Sequence, residues 1–160
     1  MRLLVVCSGN ICRSPMAAQY LKNRSEELGL ADLVVESGGT LGIENRPASE
    51  EAIQTLSDHG LDLSEHRSRG ITKATWRACD VVVAMERSHL QLLASSFRGG
   101  PRERWLLRAF ENGSRPGHIA PDLEDPIGEP LDSYRVCFDT IRPCVDHLIA
   151  YLKRLREATP

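Results

Sequence analysis

The most restrictive feature of this chain is a short apolar segment that runs, through a single loop, into a helix. Residues 3–6 form an apolar, β-rich run that is typical of a buried strand. Ser14 is an N-cap residue type, Pro15 suits the first helical position, and the composition of residues 16–28 predicts a helix. A buried strand followed closely by a helix predicts an α/β fold, with the connecting loop at the carboxyl end of the strand.

The connecting loop has the chemistry of an anion-binding site. Cys7 follows the predicted strand, and residues 8–13 lead into the helix N-terminus, where unpaired backbone N–H groups and the helix dipole favour an anion. Five residues separate Cys7 from Arg13, so the loop can curl to bring the guanidinium over the sulfur. An arginine fork donates two parallel hydrogen bonds to phosphoryl oxygens, and positive surroundings favour the thiolate form of cysteine. The segment therefore predicts a phosphate site with a cysteine nucleophile.

The other loop residues suit the same purpose. Gly9 and Asn10 tolerate left-handed backbone angles, so the loop can turn its amides inward, and the Ser14 hydroxyl can reach the Cys7 sulfur. The loop lacks both the Gly-Lys-Ser/Thr of a nucleotide-binding loop and the glycine triplet of a dinucleotide site. An ordinary strand-end cysteine, a turn and a capped helix form the alternative interpretation. The predicted phosphate-binding residues, beside Cys7 and Arg13, are Ser8, Gly9, Asn10, Ile11, Cys12 and Ser14.

Residues 6–15 resemble the signature loop of the low-molecular-weight protein tyrosine phosphatase family, V-C-x-G-N-x-C-R-S-P, at every fixed position. Further segments are similar to the second strand, a histidine-containing loop, the third strand and the acid loop of that family: residues 36–40, 66–69, 80–85 and 125–126. The resemblance covers nearly the whole chain. It implies an enzyme that hydrolyses a phosphoric monoester through a phosphocysteine.

The rest of the sequence alternates strands and helices. This pattern predicts a three-layer, doubly wound α/β sandwich, with a central four-stranded parallel sheet and helices on both faces, in one domain over residues 1–160. Strands are predicted at 3–6, 33–36, 80–85 and 105–110. Helices are predicted at 16–28, 47–59 with Gly60 as its stop, 73–78 with Thr72 as its cap, 88–97, and from 131 to the end with a kink or register fault at Pro143. Such sheets bind ligands at the carboxyl ends of their strands, where Cys7 is expected.

A long loop at residues 111–129 carries the candidate acid. Cleavage of an oxygen ester needs a proton donor for the leaving oxygen, and later a base that activates water. Asp125 is the candidate because Pro126 restricts the backbone beside it, although Asp122 and Glu124 are chemically possible. The family resemblance selects Asp125. It also implies that Asn10, Ser37 and His66 brace the phosphate loop.

The net charge and the apolar stretches of the sequence limit the kinds of partner that we expect. The formal net charge is -2, which gives no case for nucleic acid or an anionic membrane, and no apolar stretch approaches the roughly 20 residues of a membrane span. Met1 leads directly into a strand, with no signal peptide before it. We expect a cytoplasmic enzyme, a monomer or weak dimer, that acts on phosphorylated protein.

The five cysteines are an odd number, which argues against a disulfide framework. Cys79, Cys137 and Cys144 lie in apolar or helical surroundings and are predicted to be packing residues. The absence of a C-x2-C pair and the scattered histidines 59, 66, 89, 118 and 147 predict no metal site, and no cofactor is expected. The resemblance implies a reversible, protective disulfide between Cys7 and Cys12, whereas Cys12 is equally suited to packing within the loop.

The expected substrate follows from two positions near the site. Family members that act on phosphotyrosine often carry aromatic residues directly after the acid-loop Asp-Pro and one near the position of Ile43, but this chain has Ile127-Gly128 after Pro126. A similar Asp-Pro-x-Gly loop occurs in a bacterial branch that dephosphorylates protein arginine, which typically has Thr where this chain has Ile11. Because Ile11 favours an apolar aryl ester, phosphotyrosine is the first expectation and phosphoarginine the second.

Two other classes are disfavoured. Arsenate reductases of this fold relay oxidation through a further cysteine pair, and the segment after Met85 contains none. A non-catalytic phosphate-binding module would not need Cys7, Arg13 and Asp125 together.

Overall fold

The computed structural model describes residues 1–113, 115–117 and 119–158. Four parallel strands, β1 (Arg2–Cys7), β2 (Val34–Gly39), β3 (Val81–Ala84) and β4 (Glu103–Leu106), form one sheet in the order β2-β1-β3-β4. The helices are α1 (Arg13–Glu27), α2 (Glu50–Ser57), α3 (Lys73–Ala78), α4 (Arg87–Ser96) and α5 (Leu131–Glu157), with a 3-10 helix at Leu107–Phe110. The predicted four-stranded parallel sheet, flanked by helices, is confirmed.

The sheet is buried on both faces. The four residues of β1 from Leu3 to Val6 are at most 1% exposed, and all of β3 is buried, so these central strands are continuous apolar runs rather than alternating ones. The strand order reverses direction at β1, and right-handed crossovers therefore carry α1 and α4 to opposite faces. Helix α5 packs against α1, α2 and the 3-10 helix. The carboxyl ends of β1 and β3 consequently meet at one edge of the sheet, with helix N-termini beside them.

The first helix begins earlier than predicted. It starts at Arg13, its N-cap is Cys12, and Ser14 and Pro15 are its second and third residues. The prediction that Ser14 is the cap is wrong because its hydroxyl is bonded within the loop instead, to Asn10 and Cys7. Pro15 is tolerated there because the first four N–H groups of a helix have no partner within it.

Two strands also differ from their predicted limits. Strand β2 extends to Gly39 rather than ending at Glu36, because Ser37, Gly38 and Gly39 pair with β1 despite their low strand propensity. In the segment predicted as a strand at 105–110, only Trp105 and Leu106 belong to β4 and pair with β3, while Leu107–Phe110 form the 3-10 helix.

The remaining helices lie close to their predicted positions. Ser49 caps α2, which is shorter than predicted, and Thr72 caps α3 as predicted. Helix α5 continues through Pro143 without interruption, so a register fault is absent from its described residues, and the alternative of a kink there stays a prediction. Ser114 and His118 in the loop 111–129, and the two last residues, lie outside the described part of the chain. Among the described helices, none is long and apolar enough to cross a membrane.

Candidate active site

The loop after β1 directs two hydrogen-bond donors at the Cys7 sulfur. The Asn10 backbone N–H lies 3.2 Å from Sγ, and the Ser14 hydroxyl lies 2.9 Å from it. Because Ser14 Oγ already accepts from the Asn10 side-chain amide at 2.8 Å, its own proton is available to the sulfur. Cys7 is 2% exposed. Both contacts place a hydrogen-bond donor where it can stabilise negative charge on the sulfur.

Asn10 holds the shape of this loop. It is fully buried and adopts a left-handed backbone angle, φ 56°. Its side-chain amide donates to Ser37 Oγ at 3.0 Å, its side-chain oxygen accepts from the Arg69 N–H at 3.1 Å, and its carbonyl lies 2.7 Å from His66 Nε2. Burial lowers the pKa of His66, which favours a neutral ring that donates from Nε2. The structure thus brings together Asn10, Ser37 and His66, as the resemblance implied.

Strand β2 passes unusually close to the loop. Cys7 pairs with Gly39 in the sheet, and a β-carbon at Gly39 would lie 2.6 Å from the Ser8 carbonyl oxygen. The loop is further tied to this side by N–H donation from Leu41 to the same oxygen at 3.0 Å. Glycine is therefore required sterically at position 39.

The Arg13 side chain is buried, with 1% of its surface exposed. Its Nη1 donates to Glu86 and, at 2.6 Å, to the Leu123 carbonyl, while Nη2 donates to Asp125 Oδ2 at 2.9 Å. Burial raises the pKa of Glu86, but the hydrogen bond and charge of Arg13 outweigh it, and the pKa lies below its usual value. The buried Nε of Arg13 has no hydrogen-bond partner among the described residues. A buried unpaired donor is costly, so the geometry suits an anionic acceptor.

Of the three candidate carboxylates on the long loop, only Asp125 contacts Arg13. Asp122 Oδ1 accepts from the Arg87 N–H at 2.7 Å, at the start of α4, and Glu124 lies on the exposed surface. Asp125 is held by the N–H of Ile127 at 3.2 Å, and its side chain remains 32% exposed. Its carboxylate is thus oriented, yet accessible from the cavity above Cys7.

Two residues of the site were not foreseen from the sequence. Glu86 holds Arg13, and His89, at 3% exposure, lies 2.9 Å from Ser8 Oγ through Nε2. The sequence did contain a signal for Glu86, because this residue comes just after the buried strand β3. The carboxyl ends of parallel strands meet at the same edge of a sheet, so Glu86 could have been expected near Cys7.

The cavity above Cys7 is small and mainly apolar. Its volume is about 140 Å³, which accommodates a phosphoryl group and part of an attached side chain. Asp125 stands on one side, and four aliphatic side chains supply the walls: Ile11, Leu41, Ile43 and Ile127. The lining contains no aromatic residue among those described, as the sequence predicted for position 127.

All five cysteines are free thiols and buried. Cys12 Sγ lies 3.3 Å from Tyr134 Oη and 3.5 Å from Ser49 Oγ, and burial raises its pKa. Burial also raises the pKa of Cys137 to about 12 and those of Cys79 and Cys144 to about 11, consistent with packing roles.

Within the described ranges, no group of three or more His, Cys, Asp and Glu side chains is placed to hold a metal ion.

Comparison with known proteins identifies the family. Residues 2–158 match the family model described as low molecular weight phosphotyrosine protein phosphatase. The chain belongs to this family. The family consists of hydrolases that act on phosphoesters, and the loop from Cys7 to Ser14 of this phosphatase lies within the matched residues.

Individual relatives carry two kinds of name. This phosphatase is 32% identical over 152 residues to a protein-arginine-phosphatase of Geobacillus stearothermophilus, covering 95% of this chain and 96% of the relative. It is 33% identical over 161 residues to a low molecular weight protein-tyrosine-phosphatase of Streptomyces coelicolor, covering 98% and 96%. A solved structure of the YwlE arginine phosphatase, a mutant with a phosphorylated active-site serine, matches with a TM-score of 0.88 at 29% identity, covering 98% and 99%.

Proposed function

We propose that this protein dephosphorylates phosphotyrosine in proteins, without a metal, through a phosphocysteine intermediate. The observation that carries the proposal is the buried, unpartnered Nε of Arg13 in the loop that holds the Cys7 sulfur. We expect an anion bound above Cys7 to accept hydrogen bonds from this donor and from backbone N–H groups of the loop and the helix N-terminus. Cys7 is the nucleophile, Arg13 the phosphate-binding residue and Asp125 the general acid and base in this proposal.

In the first step the Cys7 thiolate attacks phosphorus in line with the leaving oxygen. The sulfur–phosphorus bond forms, the phosphorus–oxygen ester bond breaks, and protonated Asp125 transfers its proton to the departing oxygen. Arg13 and the loop amides stabilise the equatorial phosphoryl oxygens while this occurs. The hydroxyl of Ser14, bonded to Sγ, keeps the sulfur a moderate nucleophile and a good leaving group.

In the second step water hydrolyses the phosphocysteine. Asp125, now a carboxylate, accepts a proton from water, whose oxygen attacks phosphorus and displaces the Cys7 thiolate, so that inorganic phosphate is released. The relative with a phosphorylated active-site serine supports this scheme, since a hydroxyl in its active site carries the phosphate.

The aliphatic cavity supports phosphotyrosine as substrate. Ile11, Ile43 and Ile127 offer apolar surface to a phenyl ring, and burial of an aryl ester there is favourable. Apart from Asp125, the described residues that line the cavity contribute no carboxylate that would pair with a positively charged guanidinium.

Phosphoarginine is the second candidate, and it is favoured by the names of the arginine phosphatases that this chain resembles. The deciding experiment compares kcat/KM on matched phosphotyrosine and phosphoarginine peptides, with the Cys7→Ser variant as the blank. A preference for phosphotyrosine supports the first proposal, and a preference for phosphoarginine replaces it with the second. Equal turnover by the wild type and Cys7→Ser would reject the enzyme mechanism altogether.

The proposal includes a cytoplasmic setting. Five free cysteines with no disulfide are typical of a reducing compartment. Localisation of a tagged full-length chain by fractionation tests it, and recovery in an extracellular or membrane fraction would contradict it.

A further inference from the structure

His89 has a fixed protonation pattern although it lies outside the signature loop. Its Nδ1 accepts a hydrogen bond from the Glu86 backbone N–H at 3.1 Å, and a backbone N–H can only donate. The proton of the neutral ring must therefore lie on Nε2. Because Nε2 is 2.9 Å from Ser8 Oγ, it donates to the Ser8 hydroxyl oxygen.

The Ser8 oxygen is approached by a second donor as well. Arg13 Nη2 lies 3.4 Å from it, which is a longer and weaker contact. A hydroxyl oxygen has two lone pairs, and both are directed at these donors, so the hydroxyl proton must point elsewhere. Ser8 lines the cavity above Cys7, where a bound phosphoryl group would offer an acceptor.

We propose that His89 is a positioning residue, which turns the Ser8 hydroxyl proton into the phosphate cradle to donate to a phosphoryl oxygen. The inference rests on the proposed function, since it requires a phosphoryl group above Cys7. Ser8 thereby adds one side-chain donor to the backbone amides and Arg13, and His89 determines which way this donor faces.

The charges around His89 keep the ring in the required neutral form. Burial lowers the pKa of His89, and the nearby Arg13 acts in the same direction. The carboxylates of Glu86, Asp122 and Asp125 act oppositely but more weakly in sum, since the pKa remains below its usual value. A protonated ring would also set an N–H at Nδ1 against the Glu86 N–H, which the short contact between them disfavours.

Two conservative variants separate positioning from a purely structural role. In His89→Gln, the side-chain amide nitrogen occupies the place of Nε2 and can still donate to Ser8, but the acceptor for Glu86 is lost. In His89→Asn, the amide oxygen occupies the place of Nδ1 and can still accept from Glu86, but the donor to Ser8 is lost. Each variant therefore keeps one of the two hydrogen bonds of His89.

The experiment measures the Kd of inorganic phosphate for the full chain by ³¹P NMR titration, together with Tm. We expect His89→Asn and Ser8→Ala each to weaken phosphate binding by about three- to tenfold, the value of one hydrogen bond. His89→Gln should retain most of the affinity while lowering Tm, and Ser8→Ala combined with His89→Asn should bind no more weakly than either single variant.

The opposite pattern would overturn the inference. If His89→Gln loses phosphate affinity and His89→Asn retains it, His89 acts only through the start of α4. Unchanged affinity in Ser8→Ala would also reject it while leaving the proposed function intact. Failure of the wild type to bind phosphate would instead reject the proposed function and, with it, this inference.

Discussion

Arg13 Nη2 lies 2.9 Å from Asp125 Oδ2, so the buried guanidinium of the first helix and the carboxylate of the long loop form an ion pair across the site. Arg13 is also fixed by Glu86 and the Leu123 carbonyl through its other terminal nitrogen. A bound phosphoryl group, which bidentate pairing directs to Nε and Nη2, therefore competes with Asp125 for the same donor. In the proposed mechanism, we therefore expect phosphate binding to release Asp125 for proton transfer.

The first prediction concerns Asp125→Asn. Removal of the carboxylate should tighten inorganic phosphate binding, because the competing acceptor at Arg13 becomes neutral. The kcat/KM for phenyl phosphate reports the first step, in which the leaving oxygen needs a proton, and it should fall by about 100-fold or more. The fall should be much smaller for 4-nitrophenyl phosphate, whose leaving group departs as an anion.

Steady-state kinetics on the two esters and a phosphate titration test this prediction. Asp122→Asn is the matched control, since Asp122 is bonded to the start of α4 rather than to Arg13. Equal losses of kcat/KM on both esters would assign the acid role to another group.

A second prediction concerns the approach of β2 to the phosphate loop. A β-carbon in Gly39→Ala would lie 2.6 Å from the Ser8 carbonyl oxygen and 3.0 Å from the Asn10 nitrogen, so one of the two segments must move. We expect a loss of about 1–3 kcal/mol in the free energy of unfolding, as for other overpacked sites, and a fall in kcat/KM. Urea denaturation and kinetics measure both.

Gly117→Ala is the control for Gly39→Ala. The nearest heavy atom to its added β-carbon, the Ile119 carbonyl oxygen, would lie at 3.6 Å, which is ordinary contact. A Gly39→Ala enzyme as stable and active as the Gly117→Ala enzyme would contradict the steric argument.

The sequence predicted the parts of the site that are local in the chain. Cys7, Asn10, Arg13 and Ser14 lie in one strand–loop–helix segment, so their spacing alone implies their proximity. Only the family resemblance pointed to Asp125 as the acid, because Asp122 and Glu124 on the same loop are chemically possible. In the structure, Asp125 is the one of these three that contacts Arg13.

The contacts that escaped prediction join distant segments. Glu86, the N-cap of α4, contacts Arg13, which is 73 positions away in the chain. His89, in the first turn of α4, contacts Ser8, which is 81 positions away. The extension of β2 to Gly39 escaped for a related reason, since Ser-Gly-Gly has little intrinsic strand preference and pairing with β1 determines its conformation.

A third prediction concerns pH and His66. Because burial lowers the pKa of His66 in the folded protein, the unfolded chain binds its proton first as the pH falls. The stabilising contribution is complete above the unfolded pKa of about 6.5 and is lost as the pH falls through the lower folded pKa. The free energy of unfolding should therefore decline between about pH 7 and pH 5.

His66→Gln should reduce this decline. Its side-chain amide can still donate to the Asn10 carbonyl, which accepts from His66 Nε2 at 2.7 Å, but it does not titrate. His89 has a pKa shifted in the same direction, so part of the slope should persist. Urea denaturation over this pH range measures the slope, and an unchanged slope in His66→Gln would reject the assignment.

The last prediction concerns substrate choice at Ile127, which is 51% exposed at the mouth of the cavity. In Ile127→Tyr, an aromatic ring replaces an aliphatic wall and can stack against a phenyl ring, an interaction of about 0.5–1.5 kcal/mol. We expect kcat/KM for a phosphotyrosine peptide to rise by about two- to tenfold, with a smaller change for the matched phosphoarginine peptide. Ile127→Leu is the control, because it keeps an aliphatic wall of the same size. If Ile127→Tyr raises turnover of both peptides equally, the residue at position 127 affects access to Cys7 rather than recognition of the ring.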